Sequence, residues 1–144
     1  MIRRSTAVWH GDAVQGSGTL TTQSGAFRDQ PYSFKTRFQS EDGKAGTNPE
    51  ELLGAAHAGC YAMALSFQLS NAGYPPSELN VTADVDLEKV GDGFAIASIA
   101  LGVGAQVPGI SADNFQTIAD KAKRECPLSK ALAATKVLLS AKLL

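Results

Sequence analysis

Between Leu52 and Ser77 the chain carries no Asp, Glu, Lys or Arg, and this run is bracketed by the punctuation of a single helix. Asn48 is a strong N-cap, Pro49 suits the first helical position, and Glu51, three residues on, completes a capping box. Glu50 and Glu51 also fall in the first turn, where the helix dipole favours anions. Gly73 and the Pro75-Pro76 pair stop the helix, so the spacing predicts one helix from Asn48 to about Asn71. A helix with no charged face after its first turn is buried on most sides, and the rest of the chain must supply its cover. The apolar part, Leu52 to Leu69, is rich in small residues and includes Gly54, His57, Gly59 and Gln68. That composition reads as a core helix rather than a membrane span.

The flanking segments supply strands and shorter helices. Ala7-Val8-Trp9 precedes the turn pair Gly11-Asp12, and Gly18 to Thr22 holds a β-prone Thr-Leu-Thr-Thr run. Tyr32 to Phe38 alternates apolar and polar residues with Thr36 out of phase, and reads as a strand. Ser40 to Gly46 is a polar, Gly-rich loop. Leu79, Val81, Ala83, Val85 and Leu87 alternate with polar residues in the clearest strand of the chain. Gly91-Asp92-Gly93 turns it into a second strand, Phe94 to Val103, paired as a hairpin. The apolar phase of this second strand drifts at Ala97 and Ser98, which predicts a bulge or burial on both faces. Ser111 caps a helix whose buried stripe is Phe115, Ile118, Ala119 and Ala122, with Lys121, Lys123 and Arg124 suited to its last turn. Pro127 opens a short helix to about Ala134, and Thr135 to Leu143 closes as a strand. The order is that of a single α+β domain over residues 1–144, without internal repeats.

Composition removes several classes of function. Apolar residues make up 44% of the 144, enough for a real core, and charged residues only 19%, a value that fits burial in an oligomer. With 13 basic against 14 acidic residues the net charge is -1, so no basic excess exists to hold nucleic acid or an anionic membrane. No apolar segment follows Arg3-Arg4, so no secretory leader is expected and the cytoplasm is the expected location. Neither G-x-S-x-G, nor a Ser-His-Asp pattern, nor a phosphate-cradling glycine loop occurs. His10, His57, Cys60 and Cys126 are the soft or borderline metal ligands. His57 and Cys60 share a helix face at i, i+3 but lack the paired close spacing of a structural zinc motif, so no metal is expected. His57 reads as a core histidine satisfied by a local hydrogen bond.

The thiols remain. In a reducing compartment two widely separated cysteines are not a disulfide framework. Cys60 lies mid-helix in Gly54-Ala55-Ala56-His57-Ala58-Gly59-Cys60, a surface of small side chains that another backbone or a compact substrate can approach. It gains nothing from the helix N-terminus, and apolar burial raises a thiol pKa, so reaction at neutral pH needs a cation from elsewhere in the fold. Cys126 stands just before Pro127 at the start of a short helix, where the dipole lowers a thiol pKa. Chemistry alone leaves open which cysteine attacks first.

The segment Thr47-Asn48-Pro49-Glu50-Glu51-Leu52-Leu53-Gly54-Ala55-Ala56-His57-Ala58-Gly59-Cys60, with Pro108-Gly109-Ile110 and Glu125-Cys126-Pro127-Leu128-Ser129, resembles the osmotically inducible protein C (OsmC) and organic hydroperoxide resistance family, and its OsmC branch in particular. The likeness extends over essentially the whole chain. It implies antiparallel sheets packed around a long buried central helix, and an intertwined homodimer with active sites at the interface. It implies a thiol peroxidase acting on organic hydroperoxides, and on hydrogen peroxide less well, with Cys60 peroxidatic and Cys126 resolving. A dithiol, such as a dihydrolipoyl group on a protein, is the implied reductant, and no cofactor is implied. The family also uses an arginine to hold the thiolate and a glutamate to orient it. Glu50 matches the glutamate, and Arg37 is the arginine of choice with Arg28 in reserve. Phe38, Tyr61, Met63 and Phe67 are candidates for an apolar pocket, a core role being the safer reading of each. Glu50 and Cys60 are ten residues apart, about 15 Å along a helix and roughly 80° around it, so one straight helix does not bring them into contact. An antiparallel pair of such helices about a two-fold axis places Glu50 of one subunit near Cys60 of the other. The competing reading is a non-catalytic stress or binding protein with two inert buried cysteines.

Overall fold

The computed structural model describes all 144 residues. It is an α+β structure with two three-stranded sheets and a long helix between them in chain order. Two compact units divide the chain, residues 1–52 and residues 53–144.

In the first unit, β1 (Ser5–His10), β2 (Ser17–Thr22) and β3 (Gln30–Ser33) form an antiparallel meander in that order. The first connection is tied by Asp12, whose Oδ1 accepts from the N–H groups of Val14 and Gln15 at 2.8 Å each. The strand expected over Tyr32 to Phe38 is formed only at Tyr32 and Ser33, the end of β3. The chain leaves β3 at Ser33 and turns into the short helix α1 (Phe34–Phe38). The reason is a reciprocal capping box. Ser33 Oγ accepts from Thr36 N–H at 3.2 Å, and Thr36 Oγ1 accepts from Ser33 N–H at 3.0 Å. Thr36, the residue out of phase in the alternation, is what overrides it.

Helix α2 (Pro49–Asn71) has the limits its sequence predicts. Asn48 Oδ1 accepts from Glu51 N–H at 2.8 Å, closing the first turn. Glu51 does not complete the expected box at Asn48; its carboxylate takes the Thr47 hydroxyl at 2.6 Å. At the other end Gly73 adopts φ +86°, a conformation that costs glycine nothing, and Tyr74 N–H reaches back to Leu69 O at 2.9 Å.

In the second unit, β4 (Glu78–Val90) and β5 (Gly93–Gln106) form the expected antiparallel hairpin. Asp86 pairs with Ser98 and Leu87 with Ile96, so Ala97 is the extra residue of a bulge, where the apolar phase drifts. After α3 (Ala112–Glu125) and α4 (Pro127–Ala131), strand β6 (Lys136–Leu143) pairs with β5 in parallel. The sheet is therefore mixed, not antiparallel throughout as expected. A parallel pair needs a crossover of a dozen or more residues, and the two helices provide it.

The core of this unit joins Tyr61, Leu65 and Leu69 of α2 to Leu101, Val103 and Ala105 of β5 and to Phe115, Ala119 and Ala122 of α3. Tyr61 is completely buried, and its hydroxyl donates to Ala119 O at 3.0 Å. Helix α2 has the length and hydropathy of a membrane-crossing segment, yet the stripe His57, Tyr61, Leu65, Leu69 is fully buried within the unit. Burial on most sides does not hold in the single chain: Met63 and Phe67 are 77% and 63% exposed.

Gly54 sets how closely α2 lies on β4, since a Cβ there meets Ala83 O at 3.0 Å. Glycine is the poorer helix former by about 1 kcal/mol relative to alanine, but backbone cannot yield as a side chain does. Gly54→Val is therefore expected to lower stability by about 1–3 kcal/mol, as overpacking does, measured by urea unfolding.

Candidate active site

The second unit brings the two cysteines together. Cys60 projects from the middle of α2 and is partly exposed; Cys126 is completely buried. Cys126 occupies the junction of two helices: its N–H closes α3 on Ala122 O at 2.8 Å, and its carbonyl opens α4 by accepting from Lys130 N–H at 3.0 Å. Pro127 fits the first position of α4, where no N–H is required. This geometry brings the two sulfurs to 3.1 Å, as free thiols. A disulfide needs only about 1 Å of further approach, together with a two-electron oxidant that removes both thiol hydrogens.

Their environments push the two thiols apart. Burial raises the Cys60 pKa above the ordinary thiol value; the Leu128 N–H opposes this, and the neighbouring Cys126 adds to it. Burial also acts to raise Cys126, but the Ser129 N–H, the Cys60 thiol, the Ser129 hydroxyl and the Leu128 N–H all favour its charged form, and the net shift is downward. The sulfur makes no formal capping hydrogen bond to α4; the gain comes from this converging set of donors.

Behind the pair lies His57, one turn before Cys60 and fully buried. Its Nε2 is 2.9 Å from Ser129 Oγ, across 72 positions of sequence, while Nδ1 has no hydrogen-bond partner. The histidine is in the core as expected, but its partner is distant rather than local and only half its bonding capacity is used. Neither Ser129 nor this link stood out in the sequence; the available signal was that His57 and Cys60 share a helix face. Gln68, further along α2, holds the carboxylate of Glu125 just before Cys126. A cavity of about 410 Å³ opens beside Cys60, walled chiefly by Met63, Ala64, Phe67 and Pro127 with Gln68 and Glu125 at its polar side. Of the aromatic candidates, Phe67 lines this cavity and Tyr61 belongs to the core.

The first unit brings together the other candidate pair. Arg37 on α1 and Glu50 in the first turn of α2 form a two-pronged ion pair, Nη2 to Oε1 at 2.6 Å and Nε to Oε2 at 3.1 Å. Arg37 also lies over the Phe38 ring, 4.9 Å from its centroid. With Nε and one Nη2 hydrogen engaged, the guanidinium retains donors for a further anion. Arg28, the reserve, is directed into its own turn, with Nε on Gly25 O at 3.4 Å.

A partly exposed helical thiol thus faces a buried one on an α+β frame. Residues 41–140 match the family described as OsmC-like protein, and the chain belongs to that family. It is 52% identical to Peroxiredoxin OsmC of Escherichia coli over 132 residues, 92% of this chain and 90% of that protein. It is 33% identical to the organic hydroperoxide resistance protein of Xanthomonas axonopodis pv. citri over 90 residues, 62% of this chain and 61% of the relative. The fold is similar to that of the organic hydroperoxide resistance protein OhrB of Bacillus subtilis, with a TM-score of 0.74 at 25% identity over 96% of this chain and 98% of that one.

Burial holds His57 below its ordinary pKa of 6.5. The unfolded chain gains a proton on this ring near that value, and the folded protein only at lower pH. Between the two the unfolded state holds more protons, so stability falls as pH falls below about 6.5. Urea unfolding at pH 5.5 and 7.5 is expected to show this acid loss in the wild type and a smaller one in His57→Leu.

Proposed function

We propose that this protein is a homodimeric thiol peroxidase that reduces organic hydroperoxides, and hydrogen peroxide less well, in the cytoplasm. The observation that carries the reading is the 3.1 Å approach of Cys60 and Cys126 beside an apolar cavity. The Cys60 thiolate attacks the peroxide O–O bond, the alcohol departs, and Cys60 is left as a sulfenic acid. Cys126 then attacks that sulfur, forming the disulfide and releasing water. A dithiol, a dihydrolipoyl group on a protein in this reading, restores both thiols by two exchanges. The Met63 and Phe67 walls favour an organic substituent on the peroxide. Their exposure on an otherwise apolar helix also supports a second copy of the chain as cover. The relatives named peroxiredoxin and organic hydroperoxide resistance protein are consistent with this chemistry.

Cys60 lacks a cation among its own neighbours, and Arg37, oriented by Glu50, is the group we assign to it. The fork geometry suits that task, because Glu50 fixes the guanidinium and leaves donors for the thiolate. The helical spacing of Glu50 and Cys60 favours contribution across the dimer.

Cys60→Ser is expected to abolish peroxide consumption. Cys126→Ser is expected to give a single turnover and a sulfenic acid trappable on Cys60 by dimedone and mass spectrometry. Trapping on Cys126 in Cys60→Ser at undiminished rate overturns the order of the thiols, and two thiols inert to peroxide favour a non-catalytic binding role.

Arg37→Ala is expected to slow the peroxide step roughly a hundredfold, as removal of a preorganised charge-stabilising donor does, with little change in unfolding midpoint. Arg37→Lys is expected to rescue poorly. Stopped-flow rates for these and for Arg28→Ala, which is expected to stay near wild type, test the assignment.

A further inference from the structure

The cavity beside Cys60 is floored by one face of α2. Cys60, Met63, Ala64, Phe67 and Gln68 line it at the i, i+3, i+4, i+7 and i+8 spacing of a single helix stripe. Its wall is apolar at Met63, Ala64 and Phe67, and only one ionisable side chain joins the Cys60 thiol there: Glu125, the last residue of α3. Gln68 Nε2 donates to Glu125 Oε2 and ties the carboxylate to α2. An amide is neutral, so it fixes the position of the charge without cancelling it. No cation among residues 53–144 is within ion-pair distance of this carboxylate. Gln68 lies eight residues beyond Cys60, about 12 Å along the helix axis. The charge that Gln68 holds is therefore set toward the end of the cavity away from the sulfur, where the substituent of a ligand lies rather than its reacting atoms.

We propose that Glu125, positioned by Gln68, makes this cavity select hydroperoxides whose organic substituent is uncharged over those whose substituent is anionic. The proposal deepens the peroxidase reading given above and rests on it for the nature of the substrate. A hydroperoxide with its O–O bond at Cys60 extends its substituent along Met63, Ala64 and Phe67, so a carboxylate a few bonds from the peroxide carbon is brought toward Glu125. Two like charges about 6 Å apart, at an effective dielectric constant of about 40, disfavour each other by about tenfold. A cationic substituent is favoured by the same interaction. The apolar walls offer a charged group no hydrogen bond, which adds to the cost of holding an anion there. Glu125 moves no proton and does not touch the O–O bond; it determines which substituent the cavity accepts.

The test reads the cavity with three maleimides of similar shape, whose nitrogen carries an ethyl, a 2-carboxyethyl or a 2-aminoethyl group: neutral, anionic and cationic at neutral pH. The Cys60 sulfur adds to the double bond of each, and peptide mass spectrometry of the reduced protein gives the rate at Cys60 alone. Glu125→Gln keeps the shape and removes the charge, and Glu125 is exposed, so the change leaves the core alone. It is expected to raise the carboxyethyl-to-ethyl rate ratio about tenfold and to lower the aminoethyl-to-ethyl ratio by a similar factor. Glu125→Lys is expected to move both ratios further in the same directions. A change in Cys60 ionisation scales all three rates alike and cancels in the ratios, so a merely structural effect does not imitate the result. Ratios unmoved in Glu125→Gln, or moved the same way for both charged reagents, overturn the proposal. In the peroxide arm the wild type is expected to consume cumene hydroperoxide faster than its para-carboxylate, and Glu125→Gln to narrow that gap about tenfold; an unchanged gap overturns the proposal. Absence of any peroxide consumption defeats the peroxidase reading while the maleimide ratios still decide the selectivity of the cavity. Unmoved ratios with peroxide consumption intact defeat only the role of Glu125.

Discussion

The packing of one stripe of α2 against β5 and α3 is the contact on which the second unit depends. His57, Tyr61, Leu65 and Leu69 recur every fourth residue and are buried to the last atom. The Tyr61 hydroxyl ties this stripe to the backbone of α3, at Ala119. Because Cys60 lies three residues beyond His57 and one before Tyr61, it is carried at the margin of the stripe, neither in the core nor free of it. The same packing fixes α3, and its last residue, Glu125, leads directly into Cys126. One apolar interface thus sets both sulfurs, and their 3.1 Å separation follows from side chains that take no part in the chemistry.

The two units differ in their electrostatics. Among residues 53–144, burial acts against charge on both thiols, several donors offset it at Cys126, and at Cys60 the Leu128 N–H offsets it only in part. Among residues 1–52, a guanidinium is held rigidly by Glu50 with donors left over. Residues 53–144 thus hold a thiol that burial raises, and residues 1–52 hold a positive charge already oriented.

Much of this was legible in the sequence because it is local. Asn48, Pro49 and Gly73 mark α2 through rules that act within one turn, and Ala97 betrayed its bulge by breaking a two-residue period. The strand expected at Tyr32 to Phe38 stopped at Ser33 for a local reason as well: alternation suggests a strand, but Ser33 and Thr36 satisfy each other's backbone and win over it. Parallel pairing of β6 was not legible, since strand direction in a sheet depends on how the crossover packs rather than on the strand's own residues. The Arg37–Glu50 and Cys60–Cys126 pairings came from resemblance. The His57–Ser129 bond was missed because nothing near either residue records a partner 72 positions away.

The parallel alignment of β6 with β5 carries a consequence for the order of assembly. A hairpin such as β4–β5 closes from a short loop, whereas a parallel pair is completed only after the whole crossover has been made, at a larger loop-closure cost. Cys126 lies inside that crossover, and the chain enters its closing strand ten residues later, at Lys136. Cys60 precedes this crossover in the chain, and Cys126 is anchored within it. The order of elements along the chain thus ties the placing of Cys126 to the last closure that the sheet makes.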